Sequence, residues 1–374
     1  MLTNLYSEDR AAITQAELNA VLISHERYLA ERNGARAQLK CRNLDGLNLA
    51  NRNLDEADMT GASLVGANLY GTSLIRASLY CADLRRCDLR NSKLMGADIR
   101  GASFGGANLS FAVLDNADLR AAMMMYVRPQ GVSVVDGAGE KTLGGVDFAR
   151  CSMRRVSFGN AKLDGVNFNG SILENANFRG ARLSNVHFDD AVLTGVNLDD
   201  LKVPRECLSG CVFDVTRDAV SKAAELRDKL ESHQLWASSG GKAGKAAVLD
   251  GADLRPLQDC FKNRSLVGLS ACNTIAISLD FSGCQLQAAK FDGADLRGAN
   301  FTGAALGGTS FKKAKLTHAK FERAKLDTLQ LISGVSVSPS LFGAEATEEQ
   351  FQGAVLDQPL SALGFSPAGQ SPGI

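Results

Sequence analysis

From Leu44 onward an apolar residue returns at every fifth position, through Leu49, Leu54, Met59, Leu64, Leu69, Leu74, Leu79, Leu84, Leu89, Leu94, Ile99, Phe104, Leu109, Leu114 and Leu119 to Met124. Two positions before most of these centres stands a small residue, such as Ala57, Ala62, Ala67, Thr72, Cys87 or Ser92. A period of five fits neither the 3.6 of a helix nor the 2 of a flat strand. It fits a chain that turns a corner after every five residues. Four such faces give a coil of about 20 residues, and successive coils pair as parallel strands about 4.8 Å apart. The centre points inward, the small residue fills the corner, and the remaining three positions face water.

Two further ladders follow. One runs Leu143, Phe148, Met153, Phe158, Leu163, Phe168, Leu173, Phe178, Leu183, Phe188, Leu193 and Leu198, then more faintly Val203, Leu208 and Phe213. The other runs from Phe281 to Leu331, with Phe and Leu alternating. With four faces per coil, Phe148, Phe168 and Phe188 are expected to stack on one face and Phe158 and Phe178 on the opposite one. Such ring pairs add about 0.5–1.5 kcal/mol each beyond the area they bury.

The unit A-(D/N/S)-L-x-x, held in phase over seventeen centres, resembles the pentapeptide-repeat family, and the resemblance covers most of the chain. It implies an all-β solenoid: a right-handed quadrilateral parallel β-helix. On this reading residues 39–124 form a Leu-type solenoid and 143–213 a Phe/Leu-type solenoid. Between them, 125–142 carries Pro129 and several Gly and reads as a loop insertion. A last solenoid spans 249–356; its start, 255–280, fits no period well, with Ala271 and Ala276 as weak centres. The segment 357–374, rich in Pro, Gly and Ser, is expected to be a disordered tail.

Two stretches have helical period instead. Residues 14–32 open with a Thr14-x-x-Glu17 capping box and place Leu18, Leu22, His25 and Leu29 on one face. Residues 216–237 place Ala219, Ala223, Leu226, Leu230, His233 and Ala237 on one face. They align at an offset of 208, pairing Ser24, His25 and Tyr28 with Ser232, His233 and Trp236. This predicts two modules. Each begins with an amphipathic helix (1–38 for the first; 214–248, helix and linker, for the second) that covers the open core and unpaired edge of a solenoid end.

Composition narrows function. Lys+Arg and Asp+Glu stand at 41 each, so net charge gives no signal for nucleic acid or an anionic membrane. No apolar run is long enough to span a membrane, and residues 1–10 do not resemble a signal peptide. Nine Cys without a C-x-x-C pair fit free thiols in a reducing cytoplasm. Cys87, Cys151, Cys211 and Cys284 take the corner position, where Cys serves as a small apolar residue. No nucleophile elbow, phosphate loop or zinc spacing is present, so no catalytic residue, cofactor or metal is assigned.

Candidate interaction or junction residues are His25, Tyr28, His233 and Trp236 at the helices, and Arg128 and Gln130 in the insertion. For the two His, the reading to beat is a buried imidazole bonded to solenoid-edge backbone. Asp58, Asp83, Asp88, Asp98 and Asp118, each just before a centre, read as a solvated surface row. The function expected is a non-catalytic scaffold presenting solenoid faces to a protein partner. Two alternatives stand beside it. One, implied by the resemblance, is a DNA mimic that modulates DNA gyrase or topoisomerase. The near balance of ten basic and nine acidic residues between Lys40 and Arg120 argues against it. The other is a small-molecule sensor at a helix–solenoid junction. A homodimer would form through the C-terminal solenoid end, between Phe321 and Leu356.

Overall fold

The computed structural model describes residues 10–121, 145–331 and 333–367, together with the backbone of 123–128 and 131–136. The chain forms two compact units, Met1–Asp214 and Val215–Ile374.

Unit 1 opens with helix α1, Gln15–Leu29, capped by a reciprocal Thr14–Glu17 box. The solenoid follows. Parallel bridges join residues twenty apart, as in the run Asn43, Ser63, Asp83 and Ser103, and four such runs alternate every five residues. Each centre donates its N–H to the next coil, for example Leu64 to the Asp83 carbonyl at 2.8 Å. The corner after each centre requires a left-handed residue, met by Gly61 (φ 67°) or Asn91 (φ 58°). The Leu centres from Leu44 to Leu94 are fully buried.

The corner residue does more than fill space. Thr72 donates its hydroxyl to the Leu49 carbonyl at 2.7 Å, and Cys87 and Cys151 donate their thiols to the carbonyls of Leu64 and Leu109 at 2.8 Å. Cys at a corner is therefore a donor to the coil below, not only a small apolar filler.

The ladder ends at Leu119. Met124, expected as the next centre, lies in strand β1, Met123–Arg128, which pairs antiparallel with β2, Gly131–Asp136. The insertion expected as a loop is thus a β-hairpin over these residues. Runs of β-branched residues such as Val132, Val134 and Val135 favour strand over loop. The coil then resumes, with Asn108 bridging Asp147, 39 residues on.

Above the insertion the rings stack as expected: Phe148 on Phe168 (5.6 Å, 7°), Phe168 on Phe188 (5.0 Å, 10°), and Phe158 on Phe178 (4.8 Å, 17°). The two columns meet edge to face across the core, as Phe158 does Phe168 at 5.6 Å. Leu198, expected as a centre, is 46% exposed. It opens a one-turn helix α2, Leu198–Leu201, capped by Asn197, which swings Leu201 into the core instead.

Unit 2 starts with helix α3, Arg217–Ser238, and its first coil is 22 residues long, with Val248 bridging Ser270 and Asp253 bridging Ile275. A 3-10 turn at Arg255–Leu257 absorbs the two extra residues. Past it the backbone is regular. Phe261, Leu266, Ala271, Ala276 and Phe281 follow at intervals of five, all fully buried. Side-chain size is inverted there: small Ala271 and Ala276 sit at centres, while Leu269 and Leu279 are buried at corners. That inversion hid the period.

The column Phe281, Phe301 and Phe321 is stacked at 5.1 and 5.3 Å, and Phe351 continues it at 4.7 Å. Before Phe351 the coil is lengthened, so that Ser310 bridges Ser340, 30 residues on, around a hairpin of Leu329–Gln330 and Ser336–Val337. The expected disordered tail is folded through its described part. A 3-10 turn at Leu360–Leu363 brings Leu363 and Phe365 over the end of the core, with Phe365 edge-on to Phe351 at 5.5 Å. The apolar interior is covered at that end, so the expected homodimer there lacks an open core to join. Exposed Phe342 and Val355 remain beside it.

Candidate functional sites at the helix–solenoid junctions

Each helix holds the chain that leads into its solenoid by the same two side chains. In unit 1 Ser24 Oγ accepts the Ala35 N–H at 3.0 Å, and His25 Nδ1 accepts the Ala37 N–H at 3.1 Å. In unit 2 Ser232 Oγ accepts the Lys245 N–H at 3.0 Å, and His233 Nδ1 accepts the Ala247 N–H at 3.0 Å. Consecutive helical residues thus take alternate N–H groups of an extended strand, whose donors on one side lie two residues apart. The strand comes so near the helix that a residue with a side chain cannot pass. A methyl at Gly34 would overlap the Ser24 carbonyl oxygen and stand 2.5 Å from the Tyr28 nitrogen; one at Gly244 would overlap the Ser232 carbonyl and stand 2.7 Å from the Trp236 nitrogen.

Both imidazoles are fully buried. Because Nδ1 accepts, the neutral ring carries its proton on Nε2. That nitrogen faces the Asp55 carbonyl in unit 1 and the backbone of Leu266 and Val267 in unit 2, without a well-formed hydrogen bond. Burial pushes both His below the ordinary imidazole range. Tyr28 stacks on His25 at 6.1 Å, and Trp236 lies 5.5 Å from His233. Ion pairs lace each helix to its solenoid: Glu26 with Arg52 and Glu231 with Arg264, both at 2.8 Å. The arrangement commits Nδ1 of each buried imidazole to the backbone. No group of His, Cys, Asp and Glu among the described residues could hold a metal, and no described helix is long and apolar enough to cross a membrane. Arg128 ends β1, and Gln130 lies outside the described residues.

A second set of side chains escaped the sequence reading. Asp83, Asp88, Asp98 and Asp118 are not a bare solvated row. Each accepts two hydrogen bonds from the Arg two residues on, as Asp98 does from Arg100 at 2.8 and 2.7 Å. Arg90 holds the Asp88 carboxyl below its usual range. Arg90 also lies over the Tyr70 ring at 5.6 Å and Arg100 over Tyr80 at 5.3 Å, each ring belonging to the coil below. Asp253–Arg255 and Asp295–Arg297 repeat the pair in unit 2. The signal was present as the recurring A-D-L-R of 82–85, 117–120, 252–255 and 294–297. A reading that assigns outward positions to solvent passes over it.

Pentapeptide repeats match residues 43–79, 53–91, 92–125, 280–317 and 294–328, and a second description of the same repeat matches 148–201. No curated protein matches the chain. Among solved structures, a pentapeptide-repeat protein from the Arabidopsis thaliana thylakoid lumen is 25% identical over 32% of this chain and 66% of its own, with a TM-score of 0.21. QnrB1, a plasmid-mediated fluoroquinolone resistance protein, is 16% identical over 51% of this chain and 92% of its own (TM-score 0.24). HetL, involved in heterocyst differentiation regulation in the cyanobacterium Nostoc, is 19% identical over 91% of each chain (TM-score 0.15). With the five-residue ladders, the twenty-residue coils and these repeat matches together, the chain belongs to the pentapeptide-repeat family.

Proposed function

We propose that the protein is a non-catalytic scaffold whose solenoid faces engage a protein partner. The observation that carries this reading is the outer ladder of unit 1. Arg and Tyr are the side chains that most often anchor protein interfaces. Here Arg90 and Arg100 are half exposed, yet each is fixed by a two-point bond to Asp and by a Tyr ring. Ordering a long side chain normally opposes binding by about 0.5–1.5 kcal/mol. On these faces that ordering is done before a partner arrives. The interior, filled with Leu and Phe, leaves function to the outer positions.

The gyrase-modulating reading calls for a strongly acidic surface. Of the five ladder carboxylates, Asp83, Asp88, Asp98 and Asp118 each carry an Arg, while Asp58 accepts the Thr60 N–H, so at four of the five the repeat that would supply acid supplies a neutral pair instead. A junction sensor finds its two imidazoles already bonded to backbone.

The test is capture of partners from native lysate by the full chain and by its Tyr80→Ala/Arg100→Ala variant, with mass-spectrometric identification. A partner that binds the parent and is lost from the variant supports the reading. Equal capture by both removes this face from it. Recovery of gyrase or topoisomerase subunits, with an effect on supercoiling, would replace it.

A further inference from the structure

The two modules close the edge of their first coil differently. In unit 1 the residues before α1 run extended along that edge. Ala12 bridges Asn43 in parallel; the Asn43 N–H donates to the Ala11 carbonyl at 3.0 Å, and the Ile13 N–H donates to the Asn43 carbonyl at 3.3 Å. Ile13 packs on the core. One corner further, the Gln15 side chain accepts the Asn48 N–H at 2.8 Å and donates to its carbonyl at 2.9 Å. Unit 1 thus carries its own strap.

Asp253 is the counterpart of Asn43 in unit 2: Ala247, Leu249 and Leu254 stand where Ala37, Leu39 and Leu44 stand in unit 1. Among the described residues no strap lies against it. The residue aligned with Gln15, the first of α1, is Ala223, and α3 begins well before it, at Arg217. The additional turns stand off from the edge. Neither the N–H nor the carbonyl of Asp253 has a backbone partner across that edge among the described residues, and the same holds for Val248.

Between helix and edge lies a cleft of about 440 Å³ lined by Ala219, Leu226 and the strand Val248–Asp253. It runs on into one of about 540 Å³ that shares Val248. Val248 is 61% exposed, at the position held by polar Gln38 in unit 1. Lys222 pairs with Asp218 at 2.8 Å and Lys229 with Glu225 at 2.7 Å, while Asp250 on the strand wall accepts from the Ser270 hydroxyl and the Cys272 N–H rather than from a cation, so the groove disfavours an acidic occupant.

An edge with unpaired N–H and carbonyl groups is a template for another strand. A peptide added there gains affinity from main-chain bonds and specificity from side-chain pockets. The strap of unit 1 displays the kind of segment such an edge accepts: short, extended, two small residues and then a β-branched one. We propose that the α3 groove of unit 2 takes an extended segment of a partner protein, free of acidic residues, which pairs a small residue with Asp253 as Ala12 pairs with Asn43 and, five residues earlier, sets an apolar side chain on Val248. This deepens the scaffold reading and rests on it.

The probe is a blocked peptide, acetyl-Val-Ser-Thr-Ser-Ala-Ala-Ile-Thr, labelled with fluorescein at its C-terminus; it keeps the Ala-Ala-Ile-Thr of 11–14 and carries Val five residues before the pairing Ala, and it is titrated with the full chain and followed by anisotropy. Saturable binding is expected, weakened at least about tenfold by Val248→Glu and kept by Val248→Ile. Val248 is exposed, so both variants should melt like the parent when followed by Trp236 fluorescence. Absence of saturable binding, or binding indifferent to Val248→Glu, would overturn the proposal. So would a concentration-dependent dimer abolished by Val248→Glu, which would assign the groove to a second copy of the chain. If the peptide fails while the outer-ladder variant still loses its partner, the groove falls and the scaffold reading stands.

Discussion

The two modules share a clasp and differ at an edge. Ser24 and His25 hold Ala35 and Ala37; Ser232 and His233 hold Lys245 and Ala247. The solenoids these clasps begin are unlike, Leu-centred in unit 1 and Phe-columned in unit 2, and their first coils differ in length. What is duplicated is therefore the solution to a physical problem common to both. A solenoid's first strand has no coil beneath it, and its inward N–H groups need acceptors from outside the repeat. Where the modules differ, that problem is solved twice in unit 1 and once in unit 2.

The largest test of this comparison lies at the two glycines. Gly34→Ala forces a methyl into α1 backbone and separates the clasp, at about 1–3 kcal/mol. Gly244→Ala meets the same clash and is also left-handed, at φ 75°, which adds about 1–2 kcal/mol. Unit 2 should lose more. The chain supplies its own reporters, since its one Trp is Trp236 in unit 2 and its five Tyr lie at 6, 28, 70, 80 and 126 in unit 1. Urea unfolding followed by Trp and by Tyr fluorescence separates the units. A Gly34→Ala transition lowered by more than that of Gly244→Ala would break the parallel.

Next come the imidazoles. His25→Ala and His233→Ala each leave a buried N–H without an acceptor, a loss of about 1–3 kcal/mol confined to one unit. Asn keeps an acceptor near the Nδ1 position and should restore part of it. Acid gives the same information without mutation. Both His are depressed below an unfolded value near 6.5. Above that pH neither folded nor unfolded imidazole is charged, and this contribution is flat. Below it the unfolded chain takes up the protons first, so stability falls as pH drops through 6.5 toward the folded value. Asp55 and Glu26 oppose the depression of His25 while Arg36 reinforces it; around His233 only backbone opposes it. A pH 5 to 7.5 series of melts should show a slope that His25→Asn removes from the Tyr signal and His233→Asn from the Trp signal.

Most of this architecture was legible, because the five-residue rule acts on one variable, side-chain size facing inward, and sequence records size directly. The Phe columns followed from it, and both capping helices from the helical period that interrupts it. The rule failed where size is exchanged between neighbours, as at Leu269 and Ala271, and where a local cap outcompetes the repeat, as Asn197 does for Leu198. It also failed at 357–367, where Leu360, Leu363 and Phe365 are few but cover a core end, and burial there depends on what precedes them in space. Of the sites, His25 and His233 could be located from the duplication. That they bond solenoid-edge backbone was expected as well; which N–H groups they accept was not legible, since a backbone donor leaves no mark on the partner's sequence. The unpaired edge at Asp253 is invisible in sequence for the same reason: it is defined by a strand that is present in one module and missing from the described residues of the other.

The smallest test asks whether the modules share their corners as well as their clasps. Cys87 in unit 1 and Cys284 in unit 2 donate to the carbonyls of Leu64 and Phe261, at 2.8 and 2.9 Å, and Thr309 does the same to Leu286 at 2.8 Å. A hydroxyl and a thiol are thus interchangeable there, and what matters is the donor. Cys87→Ala and Cys284→Ala should each lose about 1 kcal/mol, and Cys→Ser at either site should lose less. Burial pushes the Cys87 thiol up to about 12 and that of Cys284 to about 11. At pH 8 both should therefore stay protonated and resist iodoacetamide in the native state, while half-buried Cys41 and Cys272 react first. A Ser variant no better than Ala in both units would reduce the corner to a matter of volume. A Ser variant better than Ala in one unit alone would mean that the two solenoids, despite their common repeat, close their corners by different bonds.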